Sequence, residues 1–141
     1  MTDFAAQVAG FAAKYQKRMR ATMREAVQET VSQAQQVSAE GGRMRVDTGF
    51  LRASLGASVG QMPSGVSVNP DKNSDQKEIY SYDGTDISMA LLGWQPGETL
   101  YVGWTANYAR PREARDGFMR GAVEKWDGTV DRVAAKVRKG L

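Results

Sequence analysis

The chain has 141 residues, of which 41% are hydrophobic and 25% charged, carries a net charge of +3, and contains neither cysteine nor histidine. Its length predicts one domain over residues 1–141. Without cysteine and histidine it lacks thiol chemistry and the commonest general base and metal ligand, so we expect no enzymatic activity, no metal and no cofactor. No apolar run approaches the roughly 20 residues of a membrane-spanning helix, and no secretory signal is expected at the start.

Charge is distributed unevenly along the chain. Residues 71–107 carry two basic and six acidic residues, whereas residues 108–141 carry nine basic and five acidic. Complementary regions of this kind allow copies of one protein to dock on each other. Two other interpretations of this charge distribution stay open. The basic end of the chain binds nucleic acid, or the protein has a solvated surface of mixed charge.

Residues 1–42 are predicted to form one long helix. Apolar residues recur every three or four positions from Phe4 to Val37, Thr2 or Asp3 is suited to cap the start, and the glycines at 41–42 end it. Such a helix spans roughly 55 Å, longer than a domain of this size needs, so we expect part of its stripe to pack on another subunit. Its basic residues face either solvent or an acidic partner: Lys14, Lys17, Arg18, Arg20 and Arg24.

Residues 44–106 are predicted to form a meander of short antiparallel strands. Alternation from Leu51 to Val59 resumes at Val66 and Val68 after a turn, which indicates a hairpin. Further strand-like segments lie at 78–82, 87–94 and 99–104. The acidic insert 71–104 is rich in aromatic residues, which are typical of cross-strand pairs and also of protein interfaces.

Residues 108–141 return to helical spacing. One apolar stripe runs from Phe118 to Leu141, with Asp116 as the expected N-cap and a kink or break expected at Asp127-Gly128. The order of elements predicts an α+β fold with a long N-terminal helix, an antiparallel sheet of short strands, and a closing C-terminal helix packed on one face of the sheet.

Catalytic and ligand-binding motifs are absent from the sequence. Gly60 and Gly65 have the spacing of a phosphate-binding loop, but Val66 stands where lysine is required. The acids of the 71–86 segment lack the spacing of a calcium loop. A carboxylate-based hydrolase that uses Asp83 or Asp86 is left as a remote alternative.

Two segments carry motifs of one family. The first is Val46-Asp-Thr-Gly-Phe-Leu-Arg-Ala-Ser-Leu55, and the second is Asn107-Tyr-Ala-Arg-Pro-Arg-Glu113, followed by Gly117-Phe-Met-Arg-Gly-Ala122. In this order and spacing they resemble the TG-x-L-R-x-S, YA-x-x-V-E-x-G and PF-L-R-x-A elements of the HK97 gp10-like family of tail-completion (neck) proteins of tailed phages. The sequence departs from the pattern at Arg112, where the family has an apolar residue, and in the late position of Gly117.

The resemblance implies a structural virion protein, assembled in the host cytoplasm, that forms a homo-oligomeric ring of roughly six or twelve subunits at the head–tail junction. Implied partners are copies of itself, neighbouring neck and tail proteins, and DNA that passes through the channel without being read in sequence; no membrane is implied. A tail-tube terminator, a head-closure stopper and, in another class, a small basic nucleic-acid-binding protein stay open.

Arg52 stands in a row of small residues, where a guanidinium is suited to meet a partner carboxylate or phosphate. The candidate residues for contacts with subunits or partners are Arg52, Tyr101, Trp104, Arg110, Arg112 and Glu113. Those for charge facing a DNA channel are Arg43, Arg45 and Arg52.

Overall fold

The long helix at the start of the chain is α1, which runs from Phe4 to Gln35 in the computed structural model. The structure describes residues 3–45, 49–63, 65, 82 and 84–140. Asp3 caps α1, as predicted, because its Oδ1 accepts a hydrogen bond from the Ala6 N–H at 2.8 Å. The predicted end at residue 42 is wrong, since Gln36 already adopts an extended backbone.

A tight return after α1 brings the chain back onto the core. The 3₁₀ turn Ser38–Glu40 reverses the chain, and Val37 forms a parallel bridge with Met44, which is fully buried. Gly42 permits the return because a Cβ at this position would lie 1.9 Å from the Gln36 carbonyl oxygen. Burial of Met44 therefore competes with continuation of the helix and ends it early.

Two strands form the described sheet: β1, Leu55–Val59, and β2, Leu100–Trp104. They pair antiparallel, with the first residue of each strand opposite the last residue of the other. The predicted strand at 99–104 is thereby confirmed. The predicted hairpin partner, Val66 and Val68, lies outside the described residues, as does nearly all of the predicted strand at 78–82.

The predicted start of the first strand at Leu51 is wrong, because Phe50–Ala53 forms a helical turn, α2. The turn begins when the Ala53 N–H donates to the Gly49 carbonyl at 2.9 Å. It ends at Ser54, whose Oγ donates to the Leu51 carbonyl at 2.6 Å. Periodicity over so few apolar residues does not distinguish a strand from a helical turn. The alternation of apolar and small residues along a strand therefore starts at Leu55, the first residue of β1.

The predicted strand at 87–94 is also wrong, because Thr85–Gly93 forms a helix, α3. Its residues Ile87 and Leu91, with Trp94 just after it, follow helical spacing and are all buried. An apolar run of this length fits either a strand or a buried helix. Because one face of the segment packs against β1 and α1, the helix is formed and not the strand.

The closing segment contains three helices: α4, Ala109–Asp116; α5, Phe118–Val123; and α6, Trp126–Gly140. The prediction that Asp116 caps the last helix is wrong. Asp116 lies at the end of α4, where its carboxylate forms an ion pair with Arg112. The break expected at Asp127-Gly128 is absent there, since both residues lie inside α6. The segment is instead divided at Gly117, which takes a positive φ of 64°, and after α5.

The fold is α+β, as predicted, with α6 packed along α1 and α3 packed on β1. Trp126, at the start of α6, contacts the apolar cluster that joins α1, β1 and α3, so the closing helix reaches the sheet at its first turn. Within the described residues, no helix has the length and apolar character that crossing a membrane requires.

Two ion pairs tie α6 to α1, Glu29 with Arg132 and Glu25 with Lys136. The hydrogen bond from Arg132 holds the pKa of Glu29 below its ordinary value of 4.5. A carboxyl group whose pKa is lower in the folded state stabilises the fold above its unfolded pKa, and this stabilisation is lost as the pH falls through the folded pKa.

We therefore expect Glu29→Gln to lower the urea midpoint of unfolding slightly at neutral pH and by less at acidic pH, because protonation of the Glu29 carboxyl removes the charge of the ion pair. Urea titrations of both proteins at the two pH values measure the difference. An equal difference at both pH values would contradict an ionic origin.

Gly128 lies in α6 with open space around the position of a Cβ. Because glycine weakens a helix by roughly 0.5–1 kcal/mol relative to alanine, Gly128→Ala is expected to raise the free energy of unfolding by that amount in a urea titration. Gly42→Ala is the matched control and is expected to lower it, because of the clash with Gln36. A stabilising Gly42→Ala would contradict the geometry of the return.

Candidate functional site

The first motif segment and strand β2 meet at the C-terminal end of α1, around the side chain of Gln35, which is 1% exposed. Its Nε2 donates to the Arg52 carbonyl oxygen at 2.8 Å, and its Oε1 accepts from Trp104 Nε1 at 2.8 Å. Arg52 in turn donates from its Nε to the Gln35 carbonyl oxygen at 3.0 Å. One buried amide therefore joins α1, α2 and β2.

Phe118, at the start of α5, extends this framework. Its ring meets the Trp104 ring nearly edge-on, with 5.0 Å between ring centres. It is buried in one cluster with Met44, Leu51 and Ala106. Trp104, predicted as an interface residue, is half-buried here, and its ring and N–H are both engaged within the chain.

Arg52 and Tyr101, two further predicted contact residues, are half-buried. Besides its bond to α1, Arg52 places its guanidinium carbon 5.6 Å from the centre of the Tyr82 ring. Tyr101 lies on β2 opposite Ser58. Contact of Arg52 with a partner or with DNA, and of Tyr101 with a partner, stays a prediction.

Two predicted contact residues on α4 support the helices around them. Glu113 caps α5, since its Oε2 accepts from the Met119 N–H at 2.8 Å and its Oε1 from the Arg120 N–H at 3.0 Å. Arg112 donates from Nε and Nη2 to the Asp116 carboxylate at 2.7–3.0 Å. The charges of both residues are thus engaged inside one copy of the chain.

The other predicted basic residues, Arg43, Arg45 and Arg110, are exposed. Arg43 donates from Nη1 to the Gly117 carbonyl at 3.4 Å, whereas Arg110 borders a surface groove of about 420 Å³ beside Met62. A DNA-facing role for Arg43 and Arg45 stays a prediction.

The first half of α1, residues 4–20, is called the arm. Ala21 is the first apolar residue of α1 that packs on the cluster shared with α6. The arm contains no acidic residue and four basic ones, Lys14, Lys17, Arg18 and Arg20. Exposed apolar side chains follow one face of the arm at helical spacing, with exposed fractions of 80% for Phe4, 49% for Val8, 74% for Phe11, 60% for Tyr15 and 37% for Met19.

An apolar groove of about 410 Å³, the α1–α6 groove, begins where the arm joins the body. Met23 and Ala26 of α1 face Trp126 and Val130 of α6 across it, and Tyr15 stands at one end. A second apolar groove, of about 310 Å³ between α1, β2 and α5, shares Met23 and Trp126 with the first. Apolar surface therefore continues from the arm along the body.

Sequence reasoning missed Gln35. The available signal is that this polar residue directly follows Ala34 at the end of the apolar stripe, but its partners Arg52 and Trp104 lie 17 and 69 residues away. The exposed arm agrees with the expectation of a helix longer than its domain.

Within the described residues, no group of three or more histidine, cysteine, aspartate or glutamate side chains lies close enough together to hold a metal ion. The described surface offers an apolar helical arm and an apolar groove. No protein-family model, curated protein or solved structure matches this chain.

Proposed function

We propose that the protein is a non-enzymatic structural component of a tailed phage, a ring-forming neck protein that completes the tail and joins it to the head connector. The exposed stripe of the arm carries this proposal. From Phe4 to Met19 it extends over roughly 22 Å of helix, and exposed apolar surface on this scale marks a site of interaction with another protein. Head-to-tail contacts between identical copies supply such cover and close into rings.

The arrangement of the motif residues supports a common framework with the neck family that they resemble. Leu51 and Phe118, from the first and last motif elements, are buried in one cluster, and Glu113, from the middle element, caps the helix that Phe118 begins. Residues that hold one framework together are expected to recur together in sequence. The motif residues thus supply the scaffold, and the arm supplies the contact surface.

Basic residues suit a channel through which DNA passes, because ammonium and guanidinium groups attract phosphates without reading bases. The exposed Arg45 and the basic band of the arm are candidates for such a lining. Residues 4–24, which include the arm and Arg24, carry five basic residues and no acidic one. This concentration of positive charge also favours a second candidate function, a small nucleic-acid-binding protein. Steeply salt-dependent binding of duplex DNA by a monomer would favour this second candidate.

Deletion of the gene tests the proposal in the phage or prophage that encodes it. We expect DNA-filled heads and free tails to accumulate separately, and purified protein added to the lysate to join them into infectious particles. Tails of irregular length would indicate a terminator instead, and heads that lose their DNA would indicate a stopper.

Complete particles from the deletion strain would contradict a neck role. Heads that never package DNA, in contrast to heads that package it and then lose it, would favour the nucleic-acid-binding candidate. A variant that lacks a contact side chain on the arm, Phe11→Ser, should fail to complement, whereas Ala13→Ser, on the opposite side of the helix, should complement as the wild type does.

A further inference from the structure

We propose that the arm of one copy lies in the α1–α6 groove of a second copy, so that copies join head to tail. The inference rests on the proposed function for its biological setting and names the partner of the arm. The contact itself is a property of the purified protein.

Tyr15 and Met19 of the arm line the groove of their own copy, but the distal residues Phe4, Val8 and Phe11 cannot enter it. The arm and the groove wall belong to one unbroken helix, Phe4–Gln35, so Phe11 cannot fold back onto Met23. The occupant of the groove is therefore another molecule.

The dimensions of the arm and the groove agree. The three most distal apolar side chains, Phe4, Val8 and Phe11, extend over roughly 11 Å of helix, and the groove follows α1 from Tyr15 to Ala26, roughly 17 Å. Both surfaces are apolar, so their contact removes apolar surface from water on each side.

The charged residues of the groove lining are the cations Arg18 and Arg138, so charge complementarity with a second copy of this chain lies at the α6 edge of the groove, where two carboxylates stand. Asp127 and Asp131 lie on the same face of α6 as Val130 and Ala134, since these residues are three or four positions apart, and the latter two line the groove. Both carboxylates are exposed and neither forms an ion pair with the described residues. The arm brings Lys14, exposed and three positions after Phe11.

The stripe is large enough to require a protein partner. Covered Phe and Tyr side chains each bury about 150–250 Å², so the three aromatic rings of the arm, at 60–80% exposure, offer roughly 400 Å² to a partner. Because Phe4, Val8 and Phe11 are not among the groove residues, the contact joins unlike parts of two copies, and it repeats head to tail until a ring closes instead of being exchanged between two copies.

Disulfide cross-linking tests the contact, since the chain contains no cysteine of its own. Val8→Cys on the arm, which keeps both phenylalanine rings, and Ala134→Cys in the groove are made in separate chains, mixed and oxidised. We expect a linked species of twice the chain mass that contains one of each variant. The chain with both substitutions should give a ladder of linked multimers that ends at one size.

Ala13→Cys is the matched control for Val8→Cys, because it lies two positions from Phe11 and therefore on the side of the arm opposite to the apolar stripe. It should not link to Ala134→Cys. Thermal melting of each variant confirms that it is folded, and substitution at these exposed or half-buried positions leaves the core intact.

Three outcomes would overturn the inference. A Val8→Cys homodimer as the main product means that arms pair with each other, equal linkage through Ala13→Cys means non-specific collision, and no product at the highest soluble concentration means that the groove does not receive the arm. If the link forms but gene deletion leaves particles complete, the contact stands and the neck role fails. If deletion separates heads from tails but no link forms, the neck role stands and this contact fails.

Discussion

Replacing Phe4 and Phe11 with serine is expected to convert the assembled protein to a monomer without lowering its melting temperature. Both rings are at least 74% exposed, so a single copy gains little stability from them. Burying such a ring at an interface contributes about 1.5–3 kcal/mol. Loss of two rings therefore weakens each contact by roughly two to four orders of magnitude, which sedimentation velocity measures across a dilution series.

The matched control carries serine at Ala9 and Ala13, which are exposed on the other side of the arm. It introduces the same number of serines into the same helix and should assemble as the wild type does. If both double variants dissociate equally, the effect comes from weakening of the helix. If neither dissociates, the stripe is not the contact surface.

Replacing Gln35 with alanine is expected to lower the free energy of unfolding by about 2 kcal/mol. It leaves two part-buried groups, the Trp104 N–H and the Arg52 carbonyl, without their partner, and each lies at the lower end of the roughly 1–3 kcal/mol that an unpaired buried group costs. Urea unfolding followed by circular dichroism measures the loss. Oligomer formation by the folded fraction should persist, since the groove and the arm do not include Gln35.

Gln36→Ala is the control for this variant. Gln36 is the next amide along the chain, but it is exposed and donates one side-chain hydrogen bond, from Nε2 to the Glu40 carbonyl at 3.0 Å. Its loss should cost no more than about 0.5 kcal/mol, as is usual for surface positions. Equal losses for the two variants would contradict a central role of Gln35 in the framework.

Long or clean patterns made parts of the fold predictable from sequence. The repeat of α1 persists over 32 residues, and the alternation of β2 is bounded by turn residues, so both were predicted with the correct type. Short apolar runs at 51–53 and 87–94 predict strands that the structure does not contain, because periodicity over so few residues fits a strand or a helix equally well. Packing of α3 on β1 and the hydrogen bond from Ser54 to Leu51 decide these elements. The first joins segments far apart in the chain, and the second is a local side-chain bond that apolar periodicity does not reveal.

The candidate contact residues show a similar division. Trp104, Arg112 and Glu113 have side chains typical of interfaces, yet each finds a partner within its own chain. Sequence does not reveal this for Trp104, since its partner Gln35 lies 69 residues away. The arm was accessible to sequence reasoning because its exposure follows from length, a helix of 32 residues packed against a closing helix of 15.

The copy number of the protein in purified particles tests the neck role most directly. Mass spectrometry against an isotope-labelled standard, with a capsid protein of known copy number as reference, measures it. A closed ring predicts on the order of six or twelve copies per particle. Hundreds of copies would indicate a tube or shell subunit, and complete absence from mature particles would contradict the neck role and favour the nucleic-acid-binding candidate.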